Sequence, residues 1–139
     1  MIINTLQLLC LNIPNNKLYL NMDFDKVKKI INEFSAERDW DKFHTPKNLV
    51  MAVSSEVGEL ADIFQWLDAN ESKIENISEK DLSKAKEEIA DILIYLIRLS
   101  EKLNIDLEEA VLSKIKLNNK KYPVNISKGN STKYNRRDE

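Results

Sequence analysis

Four acidic residues form two pairs, and the two acids of each pair are three positions apart. Glu56 and Glu59 lie in "SSEVGELADIFQW", and Glu88 and Asp91 lie in "EEIADILIYLI". A spacing of three places both carboxylates on one helical face, with their Cβ atoms about 5–6 Å apart. Two such helices packed antiparallel could bring all four carboxylates together. Oxygen ligands alone, without histidine or cysteine, indicate a hard ion such as Mg²⁺ or Mn²⁺.

Asp91 favours a metal site over a merely solvated helix face. It lies in a run, residues 89–97, that is apolar on nearly every side. A helix of this kind is normally buried, and a buried carboxylate needs a cation or takes up a proton. Among the basic residues near Asp91 in sequence, only Arg98 shares its face, two turns further along. The alternative is that the acids form a solvated face and complement helix N-termini.

Aromatic side chains flank the acidic pairs in sequence. Tyr95 lies one turn beyond Asp91, and Trp66 lies two turns beyond Glu59. Trp40 and His44 belong to the turn that precedes the first acidic helix. Aromatic planes of this kind can stack on a nucleobase. For each of them alone, packing in a core or an interface is the alternative.

A basic stretch follows the acidic helices. Eight basic residues and no acidic one occur from Lys114 to Arg137, whereas the chain as a whole has a formal net charge of -2. Lysines of the fourth helix, with Lys114 and Asn118 at its centre, could hold phosphates or complement the helix dipole. Because no recognised nucleic-acid-binding motif accompanies them, we expect no nucleic-acid partner.

The elements that carry these residues are predicted to be helices. The chain has 139 residues with only Gly 2 and Pro 3, which favours an all-α domain with short loops. Four helices are expected, extending to about Trp40, to about Leu67, to near Asn104, and to just before Pro123. Their start signals are Asp23, Thr45 followed by Pro46, Ser78 with Asp81, and Asp106 with Glu109.

These helices define one domain, residues 22–123, between two flanking segments. Residues 1–21 lack a basic n-region and a long apolar run, so we expect a disordered or loosely docked extension, or a segment not translated, and no membrane span. Residues 124–139 are expected to be a basic tail without periodicity. The single cysteine, Cys10, fits a reducing, cytoplasmic location, and with the single His44 it argues against a zinc site.

The segments "FSAERDWDKFHTPKNLVMAVSSEVGELADIFQW" and "EEIADILIYLIRLSEKLNIDLEEAVLSKIKLNNKKYP" resemble the MazG-like all-α NTP pyrophosphohydrolases, most closely their dCTP pyrophosphatase branch. The resemblance covers about Phe24 to Pro123, and the family signature E-x-x-E followed by E-x-x-D falls on the four acids. It implies a four-helix-bundle-like fold that assembles into a dimer or tetramer with shared pockets. It also implies Mg²⁺-dependent hydrolysis of a nucleoside triphosphate, such as dCTP, to the monophosphate and pyrophosphate.

The resemblance also implies a role for individual residues. Glu56, Glu59, Glu88 and Asp91 would ligate the metal, and Glu56 or Glu59 would orient the attacking water. Nucleotide contacts are implied for Trp40, Asp41, Lys42, Phe43, His44, Trp66, Tyr95, Lys114 and Asn118. One departure concerns the base, because Ile31 stands where family members can carry a histidine that touches the nucleotide.

Two alternatives come from other functional classes. A helical oligomerisation module could keep the fold without catalysis, although the intact acids argue against it. A carboxylate-bridged di-iron protein would use Glu-x-x-His pairs, and the only histidine lies outside the acidic helices.

Overall fold

A computed structural model describes residues 22–136, and every regular element in that range is helical. The long helices are α1 (Phe24–Glu37), α2 (Pro46–Phe64), α3 (Glu79–Lys102) and α4 (Leu107–Lys121). A short helix α5 (Val124–Ser127) and a 3₁₀ turn (Tyr134–Arg136) follow. The all-α prediction is confirmed, whereas the predictions for residues 1–21 and for residues 137–139 lie outside the described residues.

The four long helices start at the predicted capping residues. In each case a side-chain oxygen accepts a hydrogen bond from the backbone N–H three residues later, which satisfies a donor that the helix itself leaves free. These bonds join Asp23 to Lys26 at 3.0 Å, Thr45 to Asn48 at 3.3 Å, Ser78 to Asp81 at 3.0 Å, and Asp106 to Glu109 at 2.9 Å.

The helix ends differ more from the sequence prediction. Helix α1 ends at Glu37 rather than near Trp40, because Asp39 adopts a left-handed conformation with φ 52. Helix α2 ends at Phe64 rather than near Leu67. The tail is also more regular than predicted, since α5 and the 3₁₀ turn lie in it.

Helices α2 and α3 form the most extensive helix pair within residues 22–136, and α1 packs on α3. Glu56 interacts with Asp91 and Tyr95, whereas Glu59 and Ile63 line a groove with the earlier α3 residues Asp81 to Glu88. The two helices therefore run antiparallel. The buried apolar core of residues 22–136 is small and consists of Ile31, Leu49, Ala85 and Ile97.

The single chain does not close a four-helix bundle in the part that the structure describes, because α4 makes few contacts with the other long helices. Large apolar side chains are consequently exposed on several helices, among them Val50, Met51, Val57, Ile89, Leu96, Val111, Ile115 and Leu117. The expectation that Asp91 is buried is wrong for the single chain, where this residue is exposed. A helix that is apolar all round is buried only where another element covers it.

No helix within residues 22–136 combines the length and the apolar composition needed to cross a membrane.

Candidate active site

The acidic residues of α2 and α3 meet where the two helices face each other. Carboxylate oxygens of Glu56, Glu59 and Glu88 all lie within 4.8 Å of one another. Glu56 and Glu59 point the same way because they are one turn apart on α2. The antiparallel packing of α3 then places Glu88 opposite them. We refer to Glu56, Glu59 and Glu88 as the acidic cluster.

The carboxylates of the acidic cluster repel one another. The pKa of the Glu56 carboxyl lies above its ordinary value, first because of desolvation by burial and then because of the charges of Glu59, Asp91 and Glu88. The pKa of the Tyr95 hydroxyl is also raised, by burial and by the charges of Glu56 and Asp91. Asp91 and Tyr95 therefore lie next to the acidic cluster, on the side of Glu56.

Within residues 22–136, neither the acidic cluster nor Asp91 forms an ion pair with a lysine, arginine or histidine. Oxygen ligands grouped closely and left without a basic partner match the preference of a hard divalent cation. The three clustered carboxylates, with Asp91 beside them, are thus suited in donor type and charge to a divalent cation.

A surface groove of about 470 Å³ extends from the acidic cluster between α2 and α3. Its lining includes Glu59, Asp62, Ile63, Asp81, Lys84 and Glu88. Asp62 accepts a hydrogen bond from Gln65 Nε2 at 2.7 Å, so one of its oxygens already has a partner in its own helix. The groove is polar and open, and it offers space for a charged ligand beside the acids.

The turn between α1 and α2 contains five residues implied in nucleotide binding, Trp40, Asp41, Lys42, Phe43 and His44. The Trp40 ring packs edge-on against Phe34 and against His44, with ring centroids 5.8 Å and 6.3 Å apart. Lys42 Nζ lies 2.5 Å from Asp39 Oδ2 and 5.2 Å from the centre of the Phe43 ring. Trp40, Lys42, Phe43 and His44 thus make contacts with neighbours in the turn or at the end of α1.

Asp41 forms an ion pair with Arg98 of α3 and lies 3.4 Å from Lys102 Nζ. Hydrogen bonds from these two cations hold the pKa of the Asp41 carboxyl below its usual range. Its position on the face of Asp91 makes Arg98, on sequence spacing, a possible partner of that residue only. In the structure its contact with Glu101 is local, whereas Asp41 and Asn32 lie 57 and 66 positions away, so no local spacing indicates those two partners.

His44 lies partly covered in the same turn. Burial and the Arg98 charge lower the pKa of its imidazole, which favours the neutral ring. Its Nδ1 is buried and has no hydrogen-bond partner among the described residues.

The remaining predicted site residues are not brought to the acidic cluster within the described part of a single chain. Trp66 follows the end of α2 and is 86 % exposed. Lys114 and Asn118 are exposed on α4, which makes few contacts with α1, α2 or α3. Tyr95 is the exception, since it lies beside Glu56 and Asp91.

Comparisons with known proteins show which family the chain resembles. The sequence model of the MazG-like family matches residues 51–136. The dCTP pyrophosphatase 1 of Mus musculus is 42 % identical over 110 residues, and that of Homo sapiens is 41 % identical over the same length. Each alignment covers 79 % of this chain, and the chain spans 65 % of the length of these curated relatives.

A solved structure of similar sequence has a similar fold. A pyrophosphatase from Archaeoglobus fulgidus is 38 % identical and superposes with a TM-score of 0.67, covering 81 % of this chain and 99 % of the archaeal one. On the strength of the matched family model, which includes the acidic cluster, the chain belongs to the MazG-like family.

Proposed function

We propose that this protein is a nucleoside triphosphate pyrophosphohydrolase that converts dCTP and water to dCMP and pyrophosphate. The observation that carries the proposal is the acidic cluster, three carboxylates within 4.8 Å of one another in a chain of the MazG-like family. The names of the mammalian and archaeal relatives support pyrophosphate release, and the mammalian names support dCTP as the substrate.

Mg²⁺, with Mn²⁺ as a substitute, is the proposed cofactor, and Glu56, Glu59, Glu88 and Asp91 would hold it. A bound divalent ion neutralises phosphate charge and lowers the pKa of water. Glu56 or Glu59 would orient the attacking water by accepting its hydrogen bond. Glu56 is the better suited to accept a proton, because burial and the neighbouring acids raise the pKa of its carboxyl.

The aromatic residues would hold the nucleoside. Trp40, Trp66 and Tyr95 offer planes for stacking, and the neutral imidazole of His44 offers a hydrogen bond to the base. Lys114 and Asn118 would contact the phosphates. Ile31 is 8 % exposed in α1 and offers no hydrogen bond, so selectivity for cytosine would rest on the other residues of the pocket.

We further propose a homo-oligomer, a dimer or a tetramer, in the cytoplasm. The exposed apolar side chains of α2, α3 and α4 support self-association, because an extensive exposed apolar surface commonly marks an interface. Contacts between copies would also supply what the single chain lacks, namely a path for Lys114 and Asn118 to reach an acidic cluster.

Hydrolysis of dCTP in ¹⁸O-labelled water tests the proposed function. Attack at the α-phosphorus places the label in dCMP and releases unlabelled pyrophosphate, which mass spectrometry distinguishes. Label in the pyrophosphate, or orthophosphate as the first product, would contradict the proposal even if the fold is right. Release of neither product would favour a non-catalytic helical module.

A further inference from the structure

Arg98 of α3 is a charged side chain buried deeply among the described residues, with 5 % of its surface exposed. A buried cation needs partners, because its desolvation is costly. Its Nη1 donates to Asn32 Oδ1 of α1 and lies 3.4 Å from Glu101 Oε2, and its Nη2 donates to Asp41 Oδ1. One guanidinium therefore joins α3 to α1 and to the α1–α2 turn.

Within the turn formed by residues 39–44, Asp41 makes polar contacts with a distant helix. The other polar contacts of the turn join residues that are close in sequence. Trp40 N donates to Ser35 O at 3.0 Å, and Phe43 O accepts from Asn48 Nδ2 at 2.9 Å. Among the described residues, the polar contacts that tie this turn to α3 are those of Asp41 with Arg98 and Lys102.

We propose that Arg98 is a positioning residue, which acts through Asp41 to hold Trp40 and His44 in place for nucleotide binding. The inference rests on the proposed function for the role of those two aromatic side chains. Arg98 lies two helical turns beyond Asp91 on α3, so the anchor of the turn and the acidic residues share one rigid element. Asp41 then serves as the anchor of the turn, not as a contact of the nucleotide.

The chemistry of arginine suits this role. The planar guanidinium donates in fixed directions to several acceptors at once, whereas a lysine ammonium is a single flexible point charge. The Asp41 side chain is 62 % exposed, and Asn32 and Glu101 still contact the buried guanidinium when the Asp41 charge is removed. Loss of the pair should therefore loosen the turn and leave the helices intact.

Steady-state kinetics with dCTP and Mg²⁺ test the role of the pair in the full chain. For Asp41→Asn and Arg98→Lys we expect KM to rise about tenfold, equivalent to about 1.4 kcal/mol of lost binding, while kcat changes less than about threefold. Asp39→Asn is the matched control, because Asp39 is an acid of the same turn that pairs with Lys42 and does not reach α3. Its KM should stay at the wild-type value.

The double variant Asp41→Asn/Arg98→Lys separates positioning from direct contact. If Arg98 acts through Asp41, the double variant has a KM no higher than that of the weaker-binding single variant. Effects that multiply would contradict the proposal, since they would mean that the two residues act independently. An unchanged KM in Asp41→Asn would contradict it as well.

Fluorescence of the free protein gives a measurement that does not depend on activity. With Trp66→Phe as the background, Trp40 is the single tryptophan, and its quenching by acrylamide reports how well the turn is held. Quenching should increase in Asp41→Asn and Arg98→Lys and stay unchanged in Asp39→Asn.

If the wild-type protein hydrolyses no nucleotide, the proposed function fails. The quenching measurement then still shows whether the ion pair between Asp41 and Arg98 holds the turn in place. A rise in KM without a change in quenching would make Asp41 a direct nucleotide contact and would overturn the inference.

Discussion

Glu88 is the residue whose replacement tests the acidic cluster most directly, since it is the member that α3 contributes. Glu88→Gln should lower kcat at least about 100-fold, because a metal ligand supports several kcal/mol of transition-state stabilisation. The metal-free protein should stay folded, since the change removes a repelling charge. Glu79→Gln, an acid in the first turn of the same helix, is the control. Equal loss of activity in both variants would argue against a local site.

A pH dependence follows from Glu56, whose carboxyl pKa is raised above 4.5 by burial and by its acidic neighbours. In the metal-free protein, the raised pKa means that the free energy of unfolding decreases as pH rises through the folded-state pKa of Glu56. Mg²⁺ binds the ionised form, so the increase in Tm on adding Mg²⁺ should grow over the same pH range. The Tm should be measured with and without Mg²⁺ from pH 4 upward, with Glu56→Gln as control. A Mg²⁺ effect that is constant down to pH 4 would contradict the prediction.

At the same scale, local spacing decided which residues could be predicted from the sequence. The acids were recognisable because each pair is three positions apart, and this spacing fixes one helical face whatever the rest of the fold does. The Arg98 network was not recognisable, because Asn32 and Asp41 approach it only after α1 and the following turn fold onto α3.

For the helices, the capping residues give the clearest prediction. Ser78→Ala should cost about 1 kcal/mol of unfolding free energy, because its hydroxyl accepts from the Asp81 N–H at 3.0 Å and donates to the Asp81 carboxylate at 2.7 Å. Ser83→Ala, an exposed serine inside α3, should change stability little. Urea unfolding at a fixed protein concentration compares the two. Equal midpoints for wild type and Ser78→Ala would show that the cap contributes nothing.

Helix starts were predicted better than helix ends, and the reason is physical. A capping side chain bonds to the backbone a few residues away, so its signal is complete within a short segment. Helix α1 instead ends where Asp39 turns left-handed, before Trp40, and an apolar pattern alone does not indicate such a change. The exposure of the apolar face of α4 could not be predicted either. Periodicity indicates that a helix has an apolar face, but it does not indicate which element covers that face.

At the scale of the whole molecule, the predicted site residues of one chain lie in two separate places. The acidic cluster lies between α2 and α3, while Lys114 and Asn118 lie on α4, apart from those helices within residues 22–136. The apolar side chains of α4, including Val111 and Ile115, are about half exposed. A site completed between copies of the chain accounts for both observations.

Mixing two inactive variants tests this shared site. Glu88→Gln removes the acidic function, and Lys114→Ala removes the proposed phosphate contact. If each active site takes its acids from one chain and its lysine from another, random mixed dimers carry one intact site and one doubly defective site. Dissociating and reassociating an equal mixture should restore about a quarter of the wild-type sites, measured as pyrophosphate release at saturating dCTP. The control is a mixture of Glu88→Gln with Glu59→Gln, two changes on the same side of the site, which should restore nothing. Activity that stays at background in the first mixture, although light scattering shows mixed oligomers, would mean that each chain completes its own site.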